Sequence, residues 1–158
     1  MFPKILTDYA HQLLEAGTKQ LDLPVGIVSY IFNDNYQIVA INCELETMKE
    51  GAILPLRDTY CNDVYKTGRT LALTEIEGLR NHPLYISMPL EAYISAPILH
   101  NEKIWGTVNF TSTTPHKPFT HADIQLIEAY ALLIHKKLVK IDSTPFLNDS
   151  EAPHAANQ

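Results

Sequence analysis

Two alternating segments joined by a two-residue turn constrain the fold of this chain more than any other feature. Residues 92–100 read AYISAPILH and residues 103–112 read KIWGTVNFTS, with Asn101 and Glu102 between them. Because successive side chains of a strand point to opposite faces, this alternation predicts a β-hairpin. The rest of the fold is expected to be built around this pair of strands.

The predicted hairpin has one apolar face and one mixed face. The apolar face holds Ile94, Ala96, Ile98, Ile104, Val108 and Phe110. The mixed face holds Tyr93, Ser95, Pro97, Trp105, Thr107, Asn109 and Thr111. A core needs only an apolar face, so the mixed face is expected either to meet water or to line a cavity with a few placed polar groups.

Composition limits the function classes. A chain of 158 residues with 46% hydrophobic and 19% charged residues is typical of one soluble domain. Its formal net charge of -6 argues against nucleic acid or an anionic membrane as a partner. We expect no membrane span and no signal peptide. The two cysteines, Cys43 and Cys61, form no disulfide framework and fit a cytoplasmic protein.

The segments before the hairpin predict a helix, a first hairpin and a short helix. An apolar stripe follows Phe2-Pro3, with Gly17 as a plausible C-cap. Residues 25–32 and 36–43 predict two strands, and Pro55 suggests a short strand at a sheet edge. Asp58 is predicted to cap a helix over residues 59–66 that Gly68 ends.

The later segments predict a strand over residues 71–76, a loop over residues 77–90 and a long helix capped by Thr120. Ile124, Ile127, Leu132 (or Ala131), Ile134 and Leu138 would form that helix's apolar face. We assign residues 1–141 to one domain and residues 142–158 to a disordered polar tail. The order of elements predicts an α+β fold, with both terminal helices on the sheet's apolar face.

This arrangement resembles the GAF domain, a sensory module of signalling proteins. The resemblance rests on PLRDTYCNDVYKTGRTLALTEI and on AYISAPILHNEKIWGTVNFTSTTPHKPFTHADIQLIEAYALLI, and it extends over about residues 4–141. It implies a GAF-like (profilin-like) fold: a central antiparallel sheet of six strands, the N- and C-terminal helices on one face, and a ligand pocket with the short helix and loop on the other.

The resemblance also implies which residues would line that pocket. From the sheet these are Tyr93, Ser95, Thr107, Asn109 and Thr111, with Ser29 as a further candidate whose face the sequence does not fix. From the short helix they are Thr59, Tyr60, Cys61 and Val64. The ligand and any cofactor remain unknown at this stage, because the family's motif is specific for fold and not for ligand.

Cys61 has two interpretations. Near a helix start its thiol could be redox-active or form a ligand adduct, but a small residue that fills space is the favoured reading. Covalent tetrapyrrole attachment in the family needs a Cys close to a His, and here Asn62 follows Cys61. No histidines and cysteines have the spacing of a metal site, so none is predicted.

These observations favour a stand-alone, non-enzymatic bacterial sensor of small molecules that acts through a homodimer of the terminal helices or through a signalling partner protein. Two alternatives stay open. One is a redox enzyme of the free methionine-(R)-sulfoxide reductase type, which needs a reactive Cys61 and a resolving thiol. The other is a dimerisation module that binds no ligand.

Overall fold

The computed structural model describes residues 2–43 and 48–143. The predicted tail lies outside these ranges except for Asp142 and Ser143. The elements in chain order are α1 (Lys4–Leu21), β1 (Val25–Phe32), β2 (Asn35–Ile41), β3 (Ile53–Pro55), α2 (Cys61–Thr67), β4 (Leu71–Leu73), β5 (Ala92–His100), β6 (Lys103–Ser112) and α3 (His121–Asp142).

The strands form one antiparallel sheet of six strands in the order β3-β2-β1-β6-β5-β4. The predicted hairpin is β5-β6 and occupies the centre beside β1, which confirms its organising role. Asn101 and Glu102 form its turn with φ of 53° and 65°. Pro55 ends β3 at the sheet's edge, as predicted, where a missing N–H costs no ladder hydrogen bond.

The terminal helices α1 and α3 cover one face of the sheet. Their buried side chains, among them Leu14 and Ile134, pack with Ile94, Val108 and Phe110 into one apolar core. The sheet with its terminal helices confirms the predicted α+β fold. None of the described helices combines the length and the apolar character that crossing a bilayer would require.

Helix α3 begins as the sequence predicts. The Thr120 hydroxyl accepts a hydrogen bond from the Asp123 backbone N–H at 3.1 Å, and the Asp123 carboxylate accepts one from the Thr120 N–H at 2.8 Å. This reciprocal pair is a capping box. Of the two alternatives for the apolar face, Ala131 is buried and Leu132 is 51% exposed.

Gly17 does not end the first helix, and that prediction is wrong. Helix α1 continues to Leu21, and Asp22 caps it in the left-handed conformation. A Cβ on Gly17 would lie 2.2 Å from the Phe110 ring and 3.0 Å from the Tyr130 ring. Glycine at position 17 therefore makes room for two aromatic rings of the core.

The predicted start of the short helix is also wrong. Asp58 belongs to a preceding 3-10 turn, and α2 begins at Cys61 without a side-chain cap. Gly68 ends α2 in the left-handed conformation, as predicted. The next strand stops at Leu73, because Thr74 caps a 3-10 turn with its own capping box.

The hairpin contains one irregularity that the alternation did not predict. Ile98 pairs with Gly106 but Leu99 pairs with Ile104, so Trp105 is an extra residue in β6. Trp105 consequently packs against the core on the helix-covered face, and its predicted placement on the mixed face is wrong. Ile104 approaches the end of α2 on the other face, 3.9 Å from where a Cβ on Gly68 would be.

Candidate functional site

A cavity of about 220 Å³ lies on the sheet face opposite the terminal helices. The sheet forms its floor, and the first turn of α2 and the end of the 77–90 loop cover it. The lining residues are Pro24, Val25, Ile27, Tyr36, Met48, Leu54, Thr59, Tyr60, Cys61, Met88, Pro89, Leu90, Tyr93, Asn109, Thr111, Ser112 and Thr113. The lining is therefore mostly apolar and aromatic, with a few polar groups.

The structure divides the ten predicted site residues into two groups. The lining group comprises Thr59, Tyr60, Cys61, Tyr93, Asn109 and Thr111. The other group, Ser29, Val64, Ser95 and Thr107, is fully buried and stays outside the lining. The second group, the supporting residues, lies beside the cavity, where α2 packs on the sheet.

Three of the supporting residues form a buried polar cluster with the Cys61 thiol. Thr107 Oγ1 donates to Cys61 Sγ at 3.2 Å, and Ser29 Oγ lies 2.7 Å from Thr107 Oγ1. Ser95 Oγ lies 3.9 Å from the same sulfur. The phenolic oxygen of Tyr93 lies 3.0 Å from it on the cavity side. The cluster satisfies polar groups that would otherwise be buried without partners.

The environment of Cys61 favours a protonated thiol. Its side chain is 1% exposed, and burial raises the pKa of the thiol. Hydrogen bonds from Thr107 and Tyr93 lower that pKa, but by less than burial raises it. The thiolate is the nucleophilic form of cysteine, so this site makes Cys61 a poor attacking group. Cys43 is exposed just beyond the end of β2.

Asn109 is the polar group in the lining that has an unused hydrogen-bonding atom. Its side chain is 4% exposed, and its Oδ1 atom is buried without a hydrogen-bond partner among the described residues. Burial holds the pKa of Tyr36 well above its usual value, and the Asn109 side chain acts in the opposite direction by hydrogen-bonding to that phenol. The Asn109 amide therefore lies beside the Tyr36 phenol, and its oxygen is the atom without a partner among the described residues.

Three contacts attach the loop above the cavity to α2 and to Tyr60 just before it. The Tyr60 hydroxyl donates to the Met88 carbonyl oxygen at 2.7 Å. His82 Nε2 lies 2.7 Å from Asp63 Oδ2, and the His82 ring lies 4.5 Å from the Tyr60 ring. Met88 and Leu90 belong to the cavity lining. The loop is therefore held over the cavity through Tyr60 and Asp63, and we call it the lid.

Sequence reasoning placed the loop over the pocket but named none of its residues, and it missed the contribution of β2. Tyr36, Met88 and Leu90 line the cavity, although none was predicted to do so. The alternation of β2 could have indicated Tyr36, because it shares a face with the buried Ile38. Met88 and Leu90 follow no period that would assign a face, since they belong to an irregular loop.

A larger hollow of about 570 Å³ lies elsewhere, beside β5 and α3. Arg69, Glu128 and His135 are among its lining residues, and none of the ten predicted site residues is. Within residues 2–43 and 48–143, no group of three His, Cys, Asp or Glu side chains could hold a metal ion. Because six of the ten predicted site residues line the smaller cavity, that cavity is the candidate site.

Comparison with known proteins agrees with the geometry. The sequence model of the GAF domain matches residues 6–138. No curated protein matches the chain at a significant level of sequence similarity.

Solved structures show the same fold at low sequence identity. The GAF domain of an Acinetobacter phosphoenolpyruvate-protein phosphotransferase superposes with a TM-score of 0.74 at 13% identity, covering 89% of this chain and 85% of that chain. The corresponding domain from Coxiella burnetii gives 0.73 at 12% identity, covering 89% and 86%. The blue-light absorbing form of the Thermosynechococcus elongatus PixJ GAF domain gives 0.67 at 15% identity, covering 96% and 95%.

Proposed function

Because the chain belongs to the GAF domain family, we propose that it is a sensory domain that binds a small molecule in the cavity between the sheet and α2. The observation that carries the proposal is the cavity itself, with an Asn109 Oδ1 in its wall that has no partner among the described residues. Native proteins rarely leave a buried polar atom without a partner, and a ligand is one way to supply it. This role is sensory rather than catalytic.

The lid supplies a route from binding to a change in structure. Ligand contacts with Met88 and Leu90 would hold the lid closed, and Tyr60 joins the lid to α2. A ligand shifts a conformational equilibrium only by its difference in affinity for the two states. A ligand that touches lid and sheet together has such a difference, because opening the lid removes its contacts with Met88, Pro89 and Leu90.

Exposed apolar side chains on the terminal helices could transmit the signal to a second protein molecule. Leu132 and Val139 are 51% and 47% exposed. They are seven residues apart, about two helical turns, so they lie on one side of α3. Ile5 on α1 is 39% exposed. We propose that these residues mediate a homodimer or contact a signalling partner in the cytoplasm. Leu132→Glu should then abolish a dimer seen by sedimentation, and a monomeric wild-type protein would contradict the dimer.

A thermal-shift screen with a matched pair of variants tests ligand binding. Thr111 lines the cavity at a partly exposed position, so Thr111→Phe can fill the cavity from its rim. Thr111→Val keeps the size of the side chain and serves as the control. A true ligand raises the melting temperature of the wild type and of Thr111→Val, because it binds only the folded state. Thr111→Phe should lose that shift.

Screening would contradict the proposal in two ways. Either no compound in a library of nucleotides, amino acids, fatty acids and aromatic molecules stabilises the protein, or a stabilising compound acts equally on Thr111→Phe. The second result would place binding at another surface.

A further inference from the structure

We propose that the ligand of this cavity is an uncharged, flat molecule of one or two fused rings that donates a hydrogen bond to Asn109 Oδ1. The inference rests on the proposed function and names the chemical class that the same site would accept. Four properties of the lining carry it: its size, its lack of charge, the hydrogen bonds that its polar groups already make, and its aromatic walls.

Size sets the first limit. The cavity measures about 220 Å³. A cavity of about 150 Å³ in another protein binds benzene, so this one suits a ring system slightly larger than benzene. Drug-sized ligands occupy pockets of roughly 300–1,000 Å³, above this volume. A tetrapyrrole, whose four pyrrole rings have several times the atoms of benzene, exceeds it by far.

Charge sets the second limit. The described lining contains no Asp, Glu, Lys, Arg or His side chain. An ionised ligand would lose its water there without gaining a counter-charge, which is unfavourable in a low-dielectric site. Phosphate, carboxylate and ammonium groups are therefore disfavoured, which argues against cyclic nucleotides and free amino acids.

The third argument is that most polar groups in the lining already have hydrogen-bond partners within the protein and so do not require one from a ligand. Tyr60 donates to the Met88 carbonyl oxygen, and Thr59 donates to the Leu56 carbonyl oxygen at 2.8 Å. Ser112 bonds to Thr114, with 3.0 Å to its carbonyl oxygen.

The remaining polar groups complete this account. The Tyr93 phenol is engaged with Cys61, and the Tyr36 phenol lies against the Cys61, Ser29 and Asn109 side chains. Thr111 is partly exposed and Thr113 is exposed, so water can reach their hydroxyls. Asn109 Oδ1 is different, because it is buried and unpartnered among the described residues. An amide oxygen accepts hydrogen bonds, so the group that completes this site is a donor, such as a ring N–H or a phenolic O–H.

The walls favour a flat shape. The Tyr60 and Tyr93 rings lie 5.3 Å apart with 34° between their planes, and both face the cavity. Met48 and Met88 add unbranched, adaptable side chains near these rings. Aromatic walls stack on flat ligands, and thioethers pack well at ring edges.

Indole and indene form the matched probe pair for this inference. They share the same fused-ring shape, but only indole carries an N–H donor. Their dissociation constants would be measured by NMR titration of the full chain, together with those of indole-3-acetate and a cyclic nucleotide. Indole should bind about tenfold more tightly than indene, because indene leaves the Asn109 acceptor unpaired. Indole-3-acetate should bind more weakly than indole.

Asn109→Leu supplies the matched variant. It keeps a similar side-chain size and removes the acceptor, so it should bind indole and indene equally. The wild-type comparison decides the question even if this variant fails to fold. A preference for indole that survives in Asn109→Leu would overturn the assignment of the acceptor.

The remaining outcomes separate this inference from the proposed function. The proposed ligand class would be wrong if the wild type bound indole and indene equally, or if it bound the charged compounds more tightly. The proposed function would survive either result, because the cavity would still bind a ligand. If no compound of any class binds, the proposed function fails and the inference fails with it.

Discussion

The sulfur of Cys61 lies 3.0 Å from the phenolic oxygen of Tyr93, and this contact joins the first turn of α2 to strand β5. Both side chains are 1% exposed. The covering helix is thus held to the sheet through a polar contact next to the cavity, in addition to apolar packing. Such a contact fixes the position of the helix relative to the floor, which keeps the cavity in shape without a ligand.

Removing the Tyr93 hydroxyl should weaken the protein without filling the cavity. Tyr93→Phe loses the contact with Cys61, so we expect the free energy of unfolding to fall by about 1 kcal/mol in urea denaturation. Tyr65→Phe is the control, since Tyr65 is 40% exposed and should change little. An equal or higher stability of Tyr93→Phe would show that the contact contributes nothing.

Alkaline pH should destabilise the fold. Burial raises the pKa of Cys61, and it raises the pKa of Tyr36 and Tyr93 well above the usual tyrosine value. The unfolded chain therefore loses these protons at lower pH than the folded one. The stabilisation is fully present below the unfolded pKa values and is lost as pH rises through the folded ones.

Urea midpoints measured from pH 7 to pH 11 would test this, with a decline expected above about pH 9. Tyr93→Phe should show a shallower decline than the wild type. A midpoint that stays constant over the whole range would contradict the buried state of these groups.

Gly106 should tolerate no side chain. A Cβ there would lie 1.8 Å from the Ser29 carbonyl oxygen of the neighbouring strand, and backbone cannot move aside as a side-chain tip can. Gly106→Ala should cost about 3 kcal/mol or more of unfolding free energy. Gly51→Ala is the control: nothing lies within 4 Å of its Cβ, so only the strain of φ +91° remains, about 1–2 kcal/mol. Equal losses in both variants would contradict this close approach.

The lid should open more often when its link to α2 is cut. Tyr60→Phe removes the hydrogen bond to the Met88 carbonyl oxygen, so amide hydrogen exchange in residues 84–90 should become faster while the β-strands change little. Ser87→Ala is the control within the same loop, because its hydroxyl bonds only to the nearby Leu84 carbonyl oxygen. Unchanged exchange in Tyr60→Phe would mean that other contacts hold the lid.

The regular parts of the fold were predictable because they follow periodic patterns. Alternation placed Ile94 and Tyr93 on opposite faces, and the Thr120 signature placed the start of α3. Trp105 escaped this reasoning, since a bulge adds one residue and reverses the faces beyond it. The packing role of Gly17 was not predictable, because the ring that occupies the space beside it belongs to Phe110, on a strand far away in sequence.

The candidate site was predictable only in part for the same reason. Tyr93, Asn109 and Thr111 alternate along regular strands, and all three line the cavity. Ser95 and Thr107 alternate equally well, yet α2 covers them, so they form a polar cluster with Cys61 beside the cavity. Which residues of one sheet face meet a cavity depends on where the covering helix lies, and strand periodicity does not contain that information.

A crystal structure of the protein with its best-stabilising compound tests the central claim most directly. The account predicts the compound inside the cavity, in contact with Tyr93 and Leu90, and with a donor within hydrogen-bonding distance of Asn109 Oδ1. A compound bound at another surface, with the cavity filled by rearranged side chains, would contradict the claim that this cavity is the sensory site.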